Sequence, residues 1–147
     1  MKRAIGVLAA VGLLAAPAVA GLTSLSVDPA APVAGDAAVI AVTGWLPDPC
    51  WALVNQDVKL LERTFVLELW SAHVAPPEVG CIAVIVPFAT EVRHVFAEPG
   101  AWTIRVVEHP RGPVTPLPDI VLETTVTVSG SAPVGHLTWG TFKATYR

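Results

Sequence analysis

Two cysteines, four histidines and five tryptophans are the residues of this 147-residue chain whose types can do chemistry. Cys50 and Cys81 are each delivered by a loop-forming stretch, Pro47-Asp48-Pro49 and Pro76-Pro77-Glu78-Val79-Gly80. In an exported chain two such thiols pair into a disulfide. The bond pins two loops at one end of the fold. Closing a loop of about 32 residues stabilises by roughly 3.5–4 kcal/mol on the chain-entropy account. A catalytic thiol needs a histidine and an electropositive surround, and no histidine stands near either cysteine in sequence.

The histidines are His73, His94, His109 and His136. Their spacings match no zinc signature such as His-x3-His, and none pairs with a cysteine at ligand spacing, so no metal is expected. His94 falls on a half-buried strand face, and the others read as loop or strand-end residues. The carboxylates are isolated, with Glu68, Glu108 and Glu123 expected to point outward. No Gly-x-Ser-x-Gly elbow is present, and nothing suggests the paired acids of glycosidic chemistry. The chain is therefore not expected to be an enzyme or to carry a cofactor. Among the tryptophans, Trp102 falls on the core by alternation. Trp45 and Trp51 flank the Pro-Asp-Pro-Cys segment, and Trp70 lies opposite Phe65 and Leu67. Aromatics in such places stack on sugars or anchor a protein partner. They also serve simply to cover a core beside a disulfide, and Trp45, Trp51 and Trp70 are candidate binding residues on the first reading alone.

The disulfide reading depends on the first twenty residues. Lys2 and Arg3 give a positive start, Ala4 to Ala16 is apolar, and Ala18-Val19-Ala20 supplies a small-x-small cleavage pattern. That is the layout of a secretory signal peptide over residues 1–20. The apolar run of about thirteen residues is shorter than the ~20 needed to span a bilayer. The product is expected outside the cytoplasm, secreted or periplasmic, with no membrane span after cleavage. Basic residues number 9 against 12 acidic ones; without Lys2 and Arg3 they number 7, a formal net charge of −5. A mildly acidic chain with no basic stripe argues against nucleic acid as a partner.

Fourteen prolines and eleven glycines punctuate the chain at short intervals, which favours strands joined by turns. Strands are predicted at Leu22 to Val27, Ala37 to Thr43, Cys50 to Val54, Thr64 to Trp70, Ile82 to Val86, Val92 to Phe96, Trp102 to Val107 and Ile120 to Val128. Asn55-Gln56-Asp57 reads as a turn, Val58 to Arg63 as one or two helical turns, and His109 to Asp119 as a surface loop. Pro99-Gly100 reads as a tight turn before Trp102. Seven or eight short strands over residues 21–128 make an all-β, antiparallel β-sandwich.

Two stretches carry a resemblance: Pro32-Val33-Ala34-Gly35-Asp36 before a buried strand, and Glu98-Pro99-Gly100-Ala101-Trp102-Thr103-Ile104-Arg105-Val106. In these the chain resembles the immunoglobulin-like and fibronectin-type-III-like domains of bacterial secreted proteins, with Trp102 where tyrosine is commoner. The resemblance implies a scaffold rather than a reaction. Residues 129–147 read as a flexible linker followed by a short helix or tag, with Trp139, Phe142 and Tyr146 on one face and Lys143 and Arg147 beyond, a candidate docking element.

Together these features describe a non-catalytic binding or structural module of the cell envelope or extracellular space, whose partner is a protein or a glycan. A secreted inhibitor presenting disulfide-anchored loops, and a carbohydrate-binding module using loop tryptophans, are the alternatives. Thiol titration of the denatured, unreduced protein is expected to find no free thiol; two free thiols would refute the bond.

Overall fold

The computed structural model describes residues 20–113 and 117–130. They form seven strands: β1 Gly21–Asp28, β2 Ala37–Leu46, β3 Trp51–Leu61, β4 Thr64–His73, β5 Val86–Val95, β6 Gly100–Arg111 and β7 Ile120–Val128. No helix occurs among the described residues. The strands make two sheets, one ordered β1-β2-β5 and the other β3-β4-β6-β7. This is the expected all-β sandwich.

Period-2 alternation builds the core. Ala38, Ile40 and Val42 of β2 face Phe65, Leu67 and Leu69 of β4 and Trp102, Ile104 and Val106 of β6, all buried. Val126 and Val128 of β7 complete the layer. The Trp102 indole N–H, which burial would otherwise leave unpaired, donates to the Glu98 carbonyl at 2.9 Å. Gly100 takes the positive φ that the Pro-Gly turn requires, at 122°. A side chain there would run into the guanidinium of Arg63.

The pairing is antiparallel except between β4 and β6, which run parallel from Thr64↔Thr103 to Ala72↔Arg111. Parallel neighbours need a long crossover. Here the chain leaves β4, crosses to the other sheet as β5, and returns as β6. On one side the sheets are zipped by the segment after β1: Ala34 N–H donates to the Ser129 carbonyl and Ser129 N–H to the Pro32 carbonyl, each at 2.8 Å. On the other side β3 is tied across to β5 by the Thr90 hydroxyl donating to Gln56 Oε1 at 3.0 Å.

The structure corrects four local readings. Asn55-Gln56-Asp57 and Val58 to Leu61 are neither turn nor helix but the outer half of β3. As an edge strand exposed on both faces, β3 has no alternation for a sequence to show, and a bulge between Leu53 and Asn55 shifts its register. Its hairpin with β4 turns on Glu62 and Arg63, Glu62 at φ 54°. Ile82 to Ile85 is not strand, and β5 begins at Val86 with Pro87 inside it. A proline is tolerated there because β5 is an edge strand. Finally, β6 runs on through Pro110 to Arg111 rather than ending before His109. The ladder to β7 stops at Glu108, so the N–H that Pro110 lacks is not needed on that side.

Leu67→Ala is expected to cost about 2–5 kcal/mol of unfolding free energy in urea, since Leu67 is fully buried and leaves a cavity. Glu123→Ala, which removes an exposed ion pair with Arg105, is expected to cost less than about 1 kcal/mol. Equal costs for the two would contradict the assignment of the core.

Candidate functional site

The strand residues that alternate away from the core give the β3-β4-β6-β7 sheet its outer face. Trp70 of β4 and His109 of β6 are partners in the parallel ladder. Their rings stack, with centroids 5.2 Å apart and planes 28° from parallel. His109 Nδ1 donates to Asp119 at 2.8 Å, and Lys59 of β3 pairs with Glu68 of β4. The hydrogen bond to Glu68 raises the Lys59 pKa, outweighing the opposing effect of burial, and the Glu68 and Asp57 charges add to the rise. Around these groups lies a groove of about 730 Å³, with Pro113 and Leu117 on its rim. A second hollow of about 370 Å³ continues past Trp70 along Val54 and Asn55. Trp70 and Arg111 form the common wall of both. An aromatic face beside charged and hydrogen-bonding groups is what fixes a polar ligand with apolar faces.

The three candidate tryptophans are not brought together. Trp45 faces outward on β2, between Gly21 of β1 and Pro87 of β5. Its ring lies against Gly21, where a Cβ would come within 2.7 Å of the indole. Trp45 is thus covering the other sheet. Trp51 opens β3 and meets His73 edge-on, with centroids 6.3 Å apart. Of the three, Trp70 is the one that lines the groove formed by the described residues. The remaining candidates, Trp139, Phe142, Lys143, Tyr146 and Arg147, lie outside the described residues, as do His136 and the leader before Ala20. Lys59, His109, Arg111 and Asp119 were not singled out from sequence for binding. The register that aligns His109 with Trp70 belongs to the parallel pair, which no local pattern announces.

Cys50 and Cys81 are joined, with Cα atoms 5.9 Å apart. The bond links the β2–β3 crossing to the β4–β5 crossing. Asp48 folds its carboxylate back to accept the Cys50 N–H at 2.7 Å, and Val74 N–H donates to the Cys50 carbonyl at 2.8 Å. His73 Nε2 lies 3.4 Å from Cys81 Sγ. The side-chain donor atoms of Asp48, Cys50, His73 and Cys81 all lie within 4.8 Å of one another.

Glu108 corrects another sequence expectation. It points inward, fully buried, with Oε1 accepting the Ser71 hydroxyl at 2.7 Å. Oε2 has no partner among the described residues. Burial pushes its pKa up, and the Ser71 hydrogen bond offsets part of that shift. His94 sits among Phe65, Phe96 and Trp102, and burial pushes its pKa down.

In comparison with known proteins, residues 40–115, from within β2 past the end of β6, match the family model described as ORF11 beta-sandwich domain, and the chain belongs to that family. No curated protein and no solved structure matches it.

Glu108 makes stability pH-dependent with a definite sign. Its folded pKa is raised, so the folded chain keeps a proton the unfolded chain has lost, and stability falls as pH rises above the ordinary value of 4.5 through the folded value. Glu108→Gln is expected to remove this loss. In urea unfolding from about pH 4 to 8, the stability of the variant relative to the parent should rise with pH; a constant difference would contradict the assignment.

Proposed function

We propose that this member of the ORF11 beta-sandwich family is an exported, non-catalytic binding module. It holds an extended polar ligand, of which a glycan chain is the fitting class, across the outer face of the β3-β4-β6-β7 sheet. One observation carries the reading: Trp70 stacks on His109 and stands, with Arg111, between two contiguous hollows. Sugar rings present apolar C–H faces to an aromatic platform and hydroxyls to charged neighbours, and this surface offers both. The carboxylates of the groove are engaged, Glu68 by Lys59 and Asp119 by His109, an arrangement that favours holding a ligand over activating a water. The leader pattern, the disulfide and the resemblance to secreted immunoglobulin-like and fibronectin-type-III-like domains support action outside the cytoplasm.

A second reading is favoured by a separate observation. The stretch after Cys81 exposes Ile82, Val84 and Ile85 at 67%, 53% and 58%, anchored at one end by the disulfide. Such a loop suits an accessory protein or inhibitor that presents apolar side chains to a partner enzyme.

Glycan-array screening followed by calorimetric titration separates the two. Trp70→Ala is expected to weaken glycan binding at least tenfold with little change in melting temperature. Binding that survives Trp70→Ala, yet is lost on Ile82→Asp, would transfer the function to the loop. Absence of any glycan ligand across the array would sink the first reading.

A further inference from the structure

The four donor atoms at the disulfide do not line the groove, and none belongs to a residue of the central hydrophobic cluster. Cys50 closes the β2–β3 crossing, Asp48 lies two residues before it, His73 ends β4, and Cys81 lies in the β4–β5 crossing. Two sulfurs, an imidazole nitrogen and a carboxylate oxygen within 4.8 Å of one another are a complete donor set for a tetrahedral zinc-type ion. In such a site, with bonds of about 2.0–2.3 Å, neighbouring donors stand roughly 3.3–3.8 Å apart. The 3.4 Å between His73 Nε2 and Cys81 Sγ is already in that range. The carboxylate is held by the Cys50 N–H and the imidazole by the edge of Trp51. Two of the four donors are therefore oriented before any ion arrives.

We propose that Asp48, Cys50, His73 and Cys81 form a redox-gated site for Zn²⁺, shut while Cys50 and Cys81 are bonded and opened by a dithiol reductant. The exchange balances: the dithiol gives two electrons and two protons, becomes a disulfide, and leaves two protein thiols. Binding of Zn²⁺ then forms two sulfur–metal bonds and releases the two thiol protons. His73 supplies the third ligand as neutral imidazole and Asp48 the fourth. A mixed set of two thiolates, one imidazole and one carboxylate suits zinc better than the softer or harder alternatives. Cys50 is buried, while exposure of Val79, Gly80 and Ile82 around Cys81 leaves the Cys81 side of the bond open to a reductant.

The site can be tested on the full chain with Zn²⁺ and with Co²⁺ as a spectroscopic stand-in. A phosphine serves as reductant, becoming its oxide, because it competes weakly for metal. The oxidised chain is expected to bind neither ion at this site. The reduced chain is expected to bind one equivalent and, with Co²⁺, to show thiolate charge-transfer absorption and the strong visible bands of a tetrahedral ion. His73→Gln and Asp48→Asn keep the cysteines and are each expected to weaken binding at least tenfold. If reduction alone loosens the fold, Zn²⁺ is expected to restore the near-ultraviolet circular dichroism of the tryptophans. Less than one equivalent bound, binding unaffected by both substitutions, or no recovery of a loosened fold would each overturn the proposal. None of these outcomes tests glycan binding at the Trp70 groove of the oxidised chain.

Discussion

The bond between Cys50 and Cys81 joins the two places on one side of the molecule where the chain passes between sheets. On the opposite side the sheets are held by backbone hydrogen bonds between the Pro32–Ala34 segment and Ser129. Where β3 and β4 leave and rejoin the core, the described residues show one backbone hydrogen bond between the crossings, Val74 N–H to the Cys50 carbonyl, beside the disulfide. There β3 is an edge strand exposed along most of its length, and among the described residues Thr90 to Gln56 is its side-chain hydrogen bond to the other sheet. A covalent link acts mainly by restricting the unfolded chain. In this fold it also fixes how the β3–β4 hairpin enters the sandwich, and the outer face that the hairpin presents depends on that entry.

The consequence reaches the groove through register. Trp70 lies three residues before His73, at the end of β4 nearest the disulfide, and its ladder partner is His109. The hairpin sets which residues of β3 stand beside it, placing Asn55 opposite Trp70 and Lys59 opposite Val66. The same sheet turns its other face to the core, where Ser71 and Glu108 share a hydrogen bond in a fully buried position. One sheet thus carries an aromatic, charged surface on the outside and an ionisable carboxyl paired with a hydroxyl inside. Burial disfavours the charged carboxylate of that pair at neutral pH, and family membership with a β-sandwich says nothing about chemistry on either face.

Much of this was legible from the chain, and the failures have particular causes. Thr64 to Trp70 and Trp102 to Val107 alternate because one face is buried, and both became strands with the expected faces inward. The outer half of β3 gave no periodic signal because neither face is covered, so its polar residues read as a turn and its leucines as helix. Ile82 to Ile85 has strand composition without strand pairing; residue type alone does not supply a neighbour. Glu108 is the instructive case, since it is in phase with Trp102, Ile104 and Val106. Alternation placed it inside, and its charge argued it outside; the phase prevailed where Ser71, two residues past its ladder partner Leu69, donates its hydroxyl to one oxygen. For the site, Trp70 and the cysteines were visible as residue types. His109 was not visible as the neighbour of Trp70, nor His73 as the neighbour of Cys50, because a parallel pairing and a disulfide bring them together over distances no spacing rule spans.

These features make the linked crossovers the element on which the presented surface relies, while the core stands on its own packing. Peptide-resolved hydrogen exchange on the full chain, oxidised and then reduced, tests that division most directly. Reduction is predicted to speed exchange at residues 47–51 and 73–86 and along β3, leaving β2, β6 and β7 protected. Unchanged exchange at both crossovers after reduction, or uniform loss of protection throughout the sandwich, would contradict it.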